Sequence, residues 1–169
     1  MAKFRKTYRV ESTRLPGFDY SAPGYYFLTI CTHGRACWFG EIRSEFMLLN
    51  DAGCIAWQEW YRTGELRPNI RLDEFIVMPN HIHAIIQILE PSVETPRRGV
   101  STISAIINQY KMVVTKRVRQ THPEFAWQSR FYDHIVRDEQ ALRNLREYIL
   151  YNPAMWKTDE MYAARAESP

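Results

Sequence analysis

Met78-Pro79-Asn80-His81-Ile82-His83-Ala84-Ile85-Ile86-Gln87-Ile88-Leu89 is the stretch whose reading decides the fold. Pro79 has no N–H to give to a central ladder, so the strand before it ends there, and Asn80 suits a turn. From His81 onward the residues alternate as strand residues do. His81, His83, Ile85 and Gln87 fall on one face; Ile82, Ala84, Ile86 and Ile88 fall on the other. The second face is uniformly apolar and belongs to a core. The first sets two imidazoles side by side at the mouth of a strand pair, where sites tend to be exposed. They are either polar surface residues or two ligands of one metal ion.

Outward from this stretch the chain alternates between strand and helix signals. Ile70 to Met78 precedes the Pro-Asn turn and predicts an antiparallel hairpin with His81 to Leu89, placed at the centre of the sheet. Tyr25 to Thr32 is aromatic and β-branched between Gly24 and Gly34, hence a strand; Trp38 to Ile42 and Phe46 to Leu49 suit a small hairpin. Asp51 can cap a helix that runs to about Thr63, with Cys54, Trp57 and Tyr61 as its core stripe. Ser101 can cap a second helix running to about Gln120. Ile103, Ile106, Ile107, Tyr110, Val113, Val114 and Val118 form its core stripe, and Lys111, Lys116, Arg117 and Arg119 its basic face. Trp127 to Arg137 predicts the last strand. Asp138 caps a final helix that Pro153 stops after Asn152. The sum is an α+β chain with a central antiparallel sheet and helices packed on it.

Composition narrows the class. The chain has 169 residues, 46% hydrophobic and 24% charged, which suits one domain with a sizeable core. No apolar run is long enough to cross a membrane, and the first residues lack the apolar segment of a signal peptide. Cys31, Cys37 and Cys54 are odd in number and lack paired metal spacing, so they point to a reducing cytoplasm and to no zinc site. The net charge of +3 is small, but the basic residues cluster. Residues 1–20 read as a basic arm with Arg5 and Lys6 among its cations, 21–156 as the folded domain and 157–169 as a polar, poorly packed tail. The arm and the basic helix face are either solvated or rest on phosphates.

The final helix holds Tyr148-Ile149-Leu150-Tyr151-Asn152-Pro153. Leu142, Leu145 and Ile149 share one stripe at about 100° per residue, and Tyr148 and Asn152, four apart, lie along its edge. Tyr151 is rotated away from Asn152 by about 100°.

Met-Pro-Asn-His-Ile-His followed by Tyr-Ile-x-x-Asn-Pro resembles the single-tyrosine HUH transposases, nearest the REP-associated tyrosine transposases related to insertion-sequence transposases. The resemblance spans about residues 20 to 155. It includes Ile106 to Lys111 and the Trp-Gln-x-x-Phe run at Trp127. It implies an HUH nuclease fold of ferredoxin-like, RRM-like topology. It also implies that Tyr148 is the nucleophile, that His81, His83 and Asn152 are ligands of Mg²⁺ or Mn²⁺, and that the partner is single-stranded DNA carrying a hairpin. The strand would be cleaved and rejoined through a 5′-phosphotyrosine link. The resemblance leaves monomer and homodimer open and implies a cytoplasmic, nucleoid-associated protein. A catalytically silent DNA-binding module and an unrelated hydrolase using the histidines alone are the competing readings. Many relatives continue Asn-Pro-Val-Lys, whereas this chain continues Asn152-Pro153-Ala154-Met155-Trp156.

Overall fold

The computed structural model describes residues 19–90, 102–159 and 161–162. Among them the elements run β1 (Gly24–Cys31), β2 (Gly40–Arg43), β3 (Phe46–Leu49), α1 (Asp51–Glu65), β4 (Ile70–Val77), β5 (His81–Ile88), α2 (Ile103–Val118), β6 (Tyr132–Val136) and α3 (Glu139–Tyr151). Four strands form an antiparallel sheet in the order β4-β5-β1-β6, and β2 and β3 pair by themselves. This is the α+β architecture expected. The hairpin β4–β5 forms as its turn residues require, but it is not the centre of the sheet. β5 shares the centre with β1, and β4 lies at an edge. The aromatic and β-branched run of β1 is paired on both sides, by β5 and β6.

The alternation of β5 divides the molecule. Ile82, Ala84, Ile86 and Ile88 join Tyr26, Leu28 and Ile30 of β1 in the larger core, which α1 and α2 cover. Ile85 joins Phe27, Tyr132 and Val136 under Leu142, Leu145 and Ile149 of α3. A one-residue slip of β5 would put His81 and His83 into the larger core, so burial of the isoleucines sets the register. At roughly 25 cal/mol per Å² of apolar surface, each fully buried Ile contributes about 1.5–3 kcal/mol to that choice.

α1 is rotated from the expected stripe. Its buried residues are Ala52, Gly53, Ala56, Glu59, Trp60 and Thr63, while Cys54, Trp57 and Tyr61 are exposed. The small residues let the helix approach closely: a Cβ at Gly53 would lie 2.1 Å from the Phe39 carbonyl oxygen. Trp57 and Tyr61 flank the helix and contact the Phe75 ring of edge strand β4. Asn50, one residue before Asp51, is the cap, and its Oδ1 accepts from the Gly53 N–H at 2.9 Å. For α2 the cap is Thr102, accepting from the Ala105 N–H at 3.2 Å; Ser101 lies outside the described residues. The last strand is shorter than expected. Trp127 makes an isolated bridge with Thr32, and the ladder proper spans Tyr132–Val136.

The segment after α3 also differs from expectation. Residues 156–158 form a 3-10 turn, and Trp156 and Met161 are buried with Cys31 and Met78 at the end of the sheet where β5 begins. Their apolar side chains pin a run whose average composition is polar. Among the described residues, no helix is long and apolar enough to cross a membrane.

Candidate active site

The β1–β5 register builds the site. Thr29 lies opposite His83 and Cys31 opposite His81. Both histidines face the α3 side, and both are buried, His81 completely and His83 to 3% exposure. The expectation of exposed imidazoles at a strand mouth is therefore corrected: α3 and the segment that follows it cover them. Their ring centroids are 4.4 Å apart.

Hydrogen bonds fix how each ring is turned. The Asn80 Nδ2 donates to the carbonyls of Arg35 at 3.1 Å and Met161 at 2.8 Å, so its Oδ1 is the acceptor facing His81 Nδ1 at 2.8 Å. Nδ1 must then carry the His81 proton, and Nε2 keeps its lone pair. His83 Nδ1 is held by Thr29 Oγ1 at 2.9 Å, from the neighbouring strand. Burial pushes the His81 imidazole down to about 3, with the Arg35 cation adding to the effect. Burial, then His81, also lowers His83, while Asp159 opposes. Two neutral imidazoles, each held by an outer partner at Nδ1, suit metal ligation.

α3 brings the second half. Asp138 accepts from the Ala141 N–H at 2.7 Å, starting the helix where expected. Arg146 forms two hydrogen bonds with Asp73 of β4, at 2.8 and 2.6 Å, which dock the helix on its own sheet. Tyr148 Oη then lies 3.2 Å from His83 Nε2, with Phe27 against both rings. Tyr151 is 61% exposed and points away. Asn152, 1% exposed, donates from Nδ2 to Asp159 Oδ2 at 3.0 Å.

Among the described residues, His81 Nε2 and Asn152 Oδ1 are buried with no hydrogen-bond partner. Both are acceptors, and buried acceptors without donors are costly, about 1–3 kcal/mol each. A cation is a partner either acceptor can take, so the donor chemistry of these side chains fits a divalent ion. Asp159 places a carboxylate oxygen within 4.8 Å of the ligand nitrogens of His81 and His83. Sequence reading missed it because it lies in a turn with no periodic pattern, inside what reads as a tail. Its faint signal is an acidic residue seven positions past Asn152 and beside two apolar anchors.

The expected basic face is only partly present. Lys111 is buried at 9% exposure, because it falls on the stripe of Ile107 and Val114. Its ammonium donates to the carbonyls of Gln128 at 2.7 Å and Arg130 at 3.1 Å, and burial pushes its pKa down to about 8. The expectation that Lys111 lies on an exposed basic face is therefore corrected: its ammonium is turned inward to these carbonyls. Arg117 pairs with Glu59 at 2.6 Å. Arg119 is exposed and donates to the Phe125 carbonyl, and Lys116 is exposed. α2 covers the opposite face of the sheet from the histidines. Arg5 and Lys6 lie outside the described residues.

The structure thus brings a buried His-Ile-His pair on an antiparallel sheet together with a tyrosine from a docked helix. In comparison with known families, the family described as "Transposase IS200 like" matches residues 43–152, and the chain belongs to it. An uncharacterised protein of Haemophilus influenzae is 38% identical over 166 residues, covering 90% of this chain and 92% of its own. Another protein of that organism, provisionally named a REP-associated tyrosine transposase, is 27% identical over 143 residues, covering 80% of this chain and 73% of its own. A solved structure of a REP-associated tyrosine transposase bound to a REP hairpin shares the fold. Its TM-score is 0.59 at 21% identity, over 83% of this chain and 73% of that one.

Proposed function

We propose that this transposase cleaves and rejoins hairpin-associated single-stranded DNA with Tyr148 as nucleophile. The observation that carries the reading is the Tyr148 hydroxyl 3.2 Å from Nε2 of His83, beside the unpartnered Nε2 of His81. The Tyr148 oxygen gives up its proton and attacks phosphorus, the bond from phosphorus to the 3′ oxygen breaks, and that oxygen leaves as a 3′-OH. The product is a 5′-phosphotyrosine. Because the number of phosphoester bonds is unchanged, a 3′-OH can attack the link and rejoin strands without ATP.

Each side chain has a part in this. In the tautomer that protonates Nδ1, His83 Nε2 has a lone pair that can accept from the phenol. Asn80 sets the His81 tautomer, and Thr29 holds the His83 ring in place. The Asp73–Arg146 pair holds α3 so that Tyr148 meets the histidines of its own chain. Mg²⁺ or Mn²⁺ held by His81, His83 and Asn152 would supply Lewis acidity toward a phosphate oxygen. The hairpin partner is proposed from family membership and from the hairpin seen with the related structure. Lys116 and Arg119 are the exposed described cations of α2 that would rest on its phosphates.

The test is a covalent adduct. A single-stranded oligonucleotide carrying a hairpin, incubated with Mn²⁺, should give a protein–DNA species stable in denaturing gels. Tyr148→Phe should abolish it and Tyr151→Phe should leave it. Peptide mapping should find the DNA on Tyr148. An adduct on Tyr151 or Tyr110, or none with any hairpin oligonucleotide, would overturn the assignment, and the second outcome would favour a silent DNA-binding module.

A further inference from the structure

We propose that Asp159 is a resident anionic ligand of the cation site, so that the protein holds a divalent ion before DNA arrives. The inference rests on the metal reading above and deepens it. The juxtaposition is of one ring nitrogen each of His81 and His83 and a carboxylate oxygen of Asp159, from β5 and from the turn after α3, within 4.8 Å of one another. An ion with bonds of about 2.1 Å spaces its ligands about 3–4 Å apart, so closing the site takes side-chain shifts of under about 1 Å.

The convergence suits a positive centre. His81 Nε2 carries a lone pair, is fully buried and has no donor among the described residues. Asp159 brings a negative charge toward it. The two donors to that carboxylate are neutral, the Asn152 Nδ2 at 3.0 Å and the Met161 N–H at 2.6 Å. A carboxylate drawn close to an unpartnered buried imidazole nitrogen is an unfavourable approach that a cation between them turns into an attraction.

The position of Asp159 is built rather than incidental. The Met161 N–H binds Asp159 Oδ1, and the Met161 carbonyl takes a hydrogen bond from Asn80, the residue that also sets the His81 tautomer. Trp156 and Met161 anchor both ends of the turn in the small apolar cluster with Cys31 and Met78. One amide, Asn80, therefore ties the β5 ligand and the Asp159 turn into a single unit.

The consequence concerns charge. Two imidazoles and an amide oxygen form a neutral donor set, which holds a hard cation weakly. A carboxylate gives the set one negative charge and an oxygen donor of the kind Mg²⁺ and Mn²⁺ prefer.

The experiment is a Mn²⁺ titration of the DNA-free protein, read by electron paramagnetic resonance of the free ion. Wild type should bind one Mn²⁺. Asp159→Asn should bind it at least tenfold more weakly, and His81→Ala should lose it. Asn at 159 keeps an acceptor for the Met161 N–H, and melting in EDTA should stay within a few degrees of wild type. Asp159→Ser, which keeps a hydroxyl acceptor without charge, serves if Asn does not fold. Wild-type affinity in the folded uncharged variant, with loss in His81→Ala, would overturn the role of Asp159 alone. No binding to wild type without DNA would also overturn it, leaving the adduct experiment to judge the catalytic reading. Wild-type affinity in His81→Ala as well would overturn the metal site itself.

Discussion

Asn80 is the residue on which the site's geometry most depends, and its removal has a calculable cost. It is 1% exposed, and its amide makes three hydrogen bonds, to His81 Nδ1 and to the carbonyls of Arg35 and Met161. Asn80→Ala deletes all three and leaves the buried His81 N–H without an acceptor and the Met161 carbonyl without this donor. At about 1–3 kcal/mol for each buried group left unsatisfied, the loss should be about 3–5 kcal/mol, read by urea unfolding in EDTA. A second effect is on the cation. With no acceptor at Nδ1, the proton is free to move to Nε2 and block the lone pair. Loss of such outer partners typically costs 10–100-fold in metal affinity. Asn80→Asp separates the two effects. A carboxylate accepts from Nδ1 and keeps the tautomer, but it cannot donate to either carbonyl. It should therefore be as destabilised as the alanine variant while recovering most of the Mn²⁺ affinity. If the aspartate variant binds Mn²⁺ no better than the alanine variant, or if the alanine variant is as stable as wild type, the tautomer argument is wrong.

Other expectations follow from the same interactions. Asp73→Asn should loosen α3 by about 1 kcal/mol, discounted because Arg146 is 38% exposed, and should slow adduct formation more than it weakens DNA binding. The hydrogen bond from Arg146 holds the Asp73 carboxyl below its ordinary value. Its contribution is therefore present above about pH 4 and lost as pH falls through the lower folded value, so the gap between Asp73→Asn and wild type should close in acid unfolding series. Lys111→Met should cost about 2–3 kcal/mol through two orphaned carbonyls yet leave the salt dependence of hairpin binding unchanged. Because burial lowers Lys111 from 10.5 to about 8, the unfolded state binds the extra proton between those values. Wild type should thus gain stability relative to Lys111→Met across that window. Lys116→Glu with Arg119→Glu should flatten the salt dependence of hairpin binding by about one unit of slope for each phosphate no longer neutralised; an unchanged slope would place the DNA elsewhere.

The sequence was most legible where one period governs and one face is buried. β5 is such a case: its alternation placed His81 and His83 together and sent the isoleucines to the core. α3 is another, with Leu142, Leu145 and Ile149 inward and Tyr148 half-buried on the edge as helical spacing requires, although Asn152, read as an edge residue too, is buried at the helix end. Legibility failed where side-chain size competes with hydrophobicity. On α1 the heavy aromatics drew the expected stripe, but close approach to Phe39 selected Gly53 and Ala56, and the aromatics went to the flank. Lys111 was misread for the opposite reason. Its charge suggested a solvent face, while its spacing from Ile107 and Val114 already put it inside, where the irregular carbonyls of residues 128 and 130 receive it.

Asp159 marks the limit of reading a chain by pattern. Local period says nothing about a turn, and its position depends on two interactions distant in sequence, Asn80 with Met161 and Cys31 with Met161. Those interactions also explain why the altered run after Asn152-Pro153 matters here. Where the resemblance leads to Val-Lys, this chain continues Ala154-Met155-Trp156, and Trp156 is buried beside the His81 ring at a centroid distance of 6.0 Å. An exposed lysine after the helix would be available to DNA. A buried tryptophan instead turns the chain back under the histidines, and the charge it brings to the site is negative. On the proposal that Asp159 holds the ion, this segment serves the cation rather than the DNA.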